Sequence, residues 1–75
     1  MYSATLSDCG LNYSAVSMKD ITKALNQYLT EEFGAYKVVN LKKDSRYKDF
    51  SVVSSPGEYL IEVKNKTICC KIDAI

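Results

Sequence analysis

The chain reads as an α+β domain: one helix packed on one face of an antiparallel sheet of four to five strands, in the order β-α-β-β-β-β. Three observations lead there. Residues 50–54, 59–64 and 67–75 are apolar-alternating runs separated by turn-forming residues. One sixteen-residue stretch, 18–33, carries apolar residues at helical spacing and is bounded by a cap at each end. At 75 residues there is room for a single domain only, and one helix on one sheet is the two-layer arrangement such a set of elements can form.

Residues 1–16 carry the weakest pattern. Tyr2, Ala4 and Leu6 alternate as a short strand would, Asp8-Cys9-Gly10 reads as a turn, and Leu11, Tyr13 and Ala15 alternate again. The helix signal is sharper. Ser17 is a good N-cap, with Asp20 three residues on at capping-box spacing, and Val16 and Ile21 occupy the positions of a hydrophobic staple. Met18, Ile21, Leu25, Tyr28, Leu29 and Phe33, with Ala24 beside them, form one stripe, and Gly34 follows the last turn.

Residues 35–43, with Val38, Val39 and Leu41, form the next strand candidate, and a polar loop over about 44–49 leads into a three-strand meander. A two-residue turn at Asn65-Lys66 sets Val63 opposite Ile68, Ile61 opposite Cys70 and Tyr59 opposite Ile72. A turn around Pro56-Gly57 sets Phe50 opposite Val63, Val52 opposite Ile61 and Ser54 opposite Tyr59. Both closures put Tyr59, Ile61 and Val63 on one face, which a one-residue slip would invert. The helix is therefore expected to lie on Phe50, Val52, Tyr59, Ile61, Val63, Ile68, Cys70 and Ile72.

Composition narrows function by exclusion. A hydrophobic fraction of 47% supports a packed core, and a net charge of +1 gives no global pull toward nucleic acid or membrane. No apolar run reaches the length of a membrane-spanning helix. Met1 to Leu11 show neither the basic stretch nor the apolar run of a secretory signal, and the three cysteines are an odd number, so reduced thiols and a cytoplasmic location are expected. There is no histidine, no Gly-rich phosphate loop and no nucleophile elbow. No catalytic set and no cofactor or metal site is expected. Cys69-Cys70 on a strand would point to opposite faces and could not share a metal.

Two candidate binding features remain. Lys42, Lys43, Arg46, Tyr47 and Lys48 form the one charge-biased stretch, which would hold phosphates and stack a base if it worked as a unit. Asp44 and Asp49 offset it, and a solvated hairpin loop is the simpler reading. Val53 and Leu60 would lie opposite each other on the outer face of the meander, either covered by residues 1–16 or anchoring a partner. Six tyrosines also favour an interaction surface.

The favoured reading is a non-enzymatic interaction module that regulates or inhibits a protein partner by surface contact. A nucleic-acid-binding module using residues 42–48 is the alternative, and a structural subunit forming a homodimer through an open sheet edge is a third class. A viral or mobile-element origin would suit such a chain, although no motif requires it.

Overall fold

A computed structural model describes all residues, 1–75. Six strands form one antiparallel sheet: β1 (Tyr2–Leu6), β2 (Leu11–Ala15), β3 (Lys37–Asn40), β4 (Ser45–Tyr47), β5 (Gly57–Glu62) and β6 (Thr67–Ala74). The helix α1 (Met18–Phe33) falls between β2 and β3, and a 3-10 turn (Phe50–Val52) between β4 and β5. The strands lie in the order β2-β1-β6-β5-β3-β4. The α+β, two-layer architecture is as the sequence predicts, with more strands than the four to five expected.

The helix occupies the predicted span. Ser17 is extended, and its side chain accepts the Asp20 N–H. At the other end the Gly34 N–H donates to the Thr30 carbonyl at φ +78°, a conformation that disfavours any residue with a side chain. Met18, Ile21, Leu25 and Leu29 are buried, and Tyr28 and Phe33 pack half-buried at the margin of the core. The staple does not form: Val16 is 79% exposed. Thr22, on the buried side, satisfies its hydroxyl on the Met18 and Lys19 carbonyls.

The largest correction falls on residues 50–54, which are not a strand. Asp49 accepts the Ser51 N–H at 2.8 Å and also the Ser51 hydroxyl, and the Val53 N–H donates to the Phe50 carbonyl at 3.1 Å. This local cap offers the backbone a tight turn in place of a ladder. The period changes from two to three, so Phe50 and Val53 turn inward together while Val52 is 62% exposed. Val53 therefore belongs to the core and not to the outer face, and it does not oppose Leu60. The place expected for it beside β5 is taken by β3, with Val38 opposite Ile61 and Val39 opposite Leu60.

The β5–β6 hairpin is shifted by two residues from the expected pairing. Ile61 opposes Ile68, Tyr59 opposes Cys70 and Gly57 opposes Ile72. The Val63 N–H donates to the Lys66 carbonyl, which makes Lys64-Asn65 the two-residue turn. An even shift preserves the faces, so Tyr59, Ile61, Ile68, Cys70 and Ile72 are all buried as expected. The polar stretch after β3 also differs from expectation, because Ser45–Tyr47 pairs with β3 as β4. Buried Asn40 fixes the intervening turn by accepting the Lys42 and Lys43 N–H groups.

Residues 1–16 form a hairpin that does not cover the sheet. It extends it: β1 pairs along β6, from Tyr2 opposite Ala74 to Leu6 opposite Cys70. Ala4 and Leu6 join the core on the helix side. The opposite face of all six strands therefore has no second layer, and no residue whose side chain points there from a strand is buried.

Candidate functional site

The uncovered face is built by alternation. In β5, Tyr59 and Ile61 point into the core, so Glu58, Leu60 and Glu62 point outward. The same rule sends out Lys37 and Val39 from β3, Arg46 from β4, Cys69 and Lys71 from β6, and Thr5 from β1. Register then sets neighbours. Val39 lies between Arg46 and Leu60, and Leu60 lies between Val39 and Cys69. The Leu41 N–H donates to the Glu58 carbonyl, which extends the β3 pairing by one residue and puts Leu41, 49% exposed, on the same side as Val39.

Val39, Leu41, Leu60 and Cys69 thus make an apolar centre on an otherwise polar face. Leu41, Leu60 and Cys69 line a shallow depression of about 460 Å³, shared with Thr5, Glu58 and Lys71. Its surround is charged with both signs. Glu58 faces Lys71 and Lys37 faces Glu62 across strand pairs. Arg46 reaches over β3 to Glu62, Nη1 to Oε1 2.7 Å. That pair is exposed and contributes little to stability, but it holds the guanidinium beside Val39.

The structure does not bring the basic stretch together. Lys42 and Lys43 sit in the β3–β4 turn beside Pro56 and Gly57. Arg46 lies on the outer face with Glu62. Lys48 lies at the far end of the sheet, in a groove with Lys37, Asp49, Glu62 and Lys64. Tyr47 packs half-buried against the core, opposite Val38, so its ring is committed. Alternation along a strand is the reason: neighbours in sequence leave β4 on opposite faces and at opposite ends. Of the predicted site residues, Leu60 and Arg46 share the outer face, and Val53 is in the core.

The groove near Lys48, of about 630 Å³, lies where the end of α1 meets β3 and β5, and Tyr36 closes its inner wall. The Tyr36 hydroxyl donates to Asn26 Oδ1 at 2.5 Å and accepts the Phe50 N–H at 3.1 Å. Burial pushes its pKa up to about 12, against the Phe50 hydrogen bond, and Asp49 nearby raises it further. Both contacts are structural: they tie the helix and the 3-10 turn to the segment that leads into β3. Asp49 is held below the usual carboxylate range by hydrogen bonds from the Ser51 hydroxyl and N–H.

All three cysteines are free thiols. Cys69 is exposed, whereas burial pushes the Cys70 thiol up to about 12 and makes it inert. No cluster of three or more acidic, cysteine or histidine side chains is placed to hold a metal. No helix is long and apolar enough to cross a membrane.

The sequence reading places Leu60 and Cys69 on the outer face but misses Val39 and Leu41 beside Leu60, because it pairs β5 with residues 50–54; the two-residue shift of the β5–β6 hairpin then brings Cys69 directly opposite Leu60. The available signal was Asp49 two residues before Ser51, a local cap that competes with extension. No protein-family model, no curated protein and no solved structure matches the chain.

Proposed function

We propose that this chain is a non-enzymatic interaction module that binds a protein partner through the uncovered face of its sheet and regulates or inhibits that partner. One observation carries the reading: Leu41, Leu60 and Cys69 line a depression with Glu58 and Lys71 at its side, and Val39 continues the apolar centre across β3 toward the charged neighbours Lys37, Arg46 and Glu62. An apolar centre with a polar rim is the anatomy of a protein–protein contact, in which a few central side chains carry most of the energy. The mixed signs of the rim favour a protein surface over a polyanion. The three free thiols suit a reducing, cytosol-like compartment.

The test is capture with and without nuclease, using wild type and Leu60→Lys. Leu60 is only half-buried on an open face, so this variant should keep its stability to within about 0.5 kcal/mol. A partner that survives nuclease and is lost with Leu60→Lys supports the reading. A partner lost to nuclease, and lost again when Lys42, Lys43, Arg46 and Lys48 are neutralised, would put nucleic-acid binding in its place.

A further inference from the structure

The sheet has two free edges, β2 and β4, and they differ. Along β1 the Ser7 N–H donates to the Cys69 carbonyl at 3.1 Å, and the Ile75 N–H donates to the Met1 carbonyl at 2.8 Å. Odd-numbered residues of this segment therefore bond β6. In an antiparallel ladder the alternate residues bond the other neighbour, so Tyr2, Ala4 and Leu6 bond β2 through Ala15, Tyr13 and Leu11. It follows that Asn12 and Ser14 turn their backbone N–H and C=O groups to the open side.

We propose that β2 is a homodimerisation edge: two copies pair β2 against β2, antiparallel, about a two-fold axis through Tyr13, and so join their sheets edge to edge. In this register Asn12 lies opposite Ser14 of the second copy, and every outward bonding group of both strands finds a partner. Tyr13 then meets Tyr13 of the second copy as a non-hydrogen-bonded pair, the arrangement with the closest side chains. Leu11 meets Ala15. All three are half-buried at the flank of the core, on the helix side, and a second copy closes that flank.

The choice of a second copy as occupant rests on charge. β2 contains no charged residue and no proline, the usual protections of an edge. β4 is three residues long, between Asp44 and Lys48, and pairing it with a copy of itself about a two-fold axis would set its central Arg46 on Arg46. The same β2 register brings the Ser7–Gly10 turn of one copy beside residues Val16–Lys19 of the other. The exposed Val16 then lies against Gly10, and the turn that carries Asp8 falls on the side of the first turn of α1, which carries Lys19 and Asp20. Within one copy these two segments stand at opposite ends of β2, and Asp8 and Lys19 form no ion pair.

Sedimentation equilibrium over a micromolar-to-millimolar series tests it. Wild type is expected to dimerise reversibly to twice the 8.4 kDa of the chain. Ser14→Pro removes an N–H that has no partner within the copy, and should raise the dissociation constant about tenfold or more. Asn12→Lys with Ser14→Lys, and Asn12→Glu with Ser14→Glu, should each be monomeric alone and form a mixed dimer when combined. That rescue carries the test if Ser14→Pro does not fold. A wild type that stays monomeric throughout, or a dimer that survives the proline and both charged pairs, overturns the proposal. Leu60 lies three strands from β2, so Leu60→Lys should dimerise as wild type does, and loss of partner capture in that variant is read separately.

Discussion

The hydroxyl of Tyr36 accepts the backbone N–H of Phe50 at 3.1 Å across fourteen residues of chain. The same hydroxyl donates to Asn26 on α1, and the Tyr36 and Phe50 rings lie 6.0 Å apart. One side chain therefore joins the helix to the turn that replaces an expected strand. Tyr36→Phe would leave a buried N–H without an acceptor, and should cost about 1–3 kcal/mol in denaturant unfolding. A loss under about 0.3 kcal/mol would mean that the bond contributes nothing.

Alkaline pH should destabilise the fold. Burial raises Tyr36 to about 12, raises Tyr59, and raises Cys70 to about 12, above their ordinary values of 10.0, 10.0 and 9.0. Above those ordinary values the unfolded chain loses protons that the folded chain retains, so the contribution is complete below about pH 9 and is lost as pH rises toward 12. Unfolding midpoints measured across that window should fall with pH. The slope should be shallower in Cys70→Ala than in wild type. Equal slopes would remove Cys70 from the account.

Leu25 is fully buried at the centre of the helix stripe. Leu25→Ala should cost about 2–5 kcal/mol, a large share of the stability of so small a domain. Denaturant titration decides it, and a cost below about 0.5 kcal/mol would mean that α1 does not pack on the sheet as described.

Adjacent valines separate the 3-10 turn from a strand. Val53 is 7% exposed and Val52 is 62% exposed. Val53→Ala should destabilise by about 1–3 kcal/mol and Val52→Ala by under about 0.5 kcal/mol. The reverse order would restore the extended conformation over residues 50–54.

Alkylation of the native protein, followed by mass spectrometry, should label Cys69 well before Cys70. Cys69 is exposed on the outer face, and Cys70 is 2% exposed with its thiol held protonated. Faster labelling of Cys70 would invert β6 and with it the proposed interaction face.

The sequence by itself determined what depends on near neighbours. Ser17, the stripe from Met18 to Leu29, and Gly34 define α1 to the residue, because caps and periodicity act within a few positions. Alternation in β5 and β6 set which side chains face the core, and a two-residue shift of register left that assignment intact. Pairing between distant segments lies outside such local rules. That β1 lies along β6, that β3 displaces residues 50–54 from the side of β5, and that Lys42, Arg46 and Lys48 separate onto different surfaces were decided by tertiary structure. The physical reason is competition. Asp49 and Ser51 satisfy the backbone locally with a turn, the turn buries Phe50 and Val53 together, and the vacated edge of β5 is filled by the strand whose Val38 completes the core.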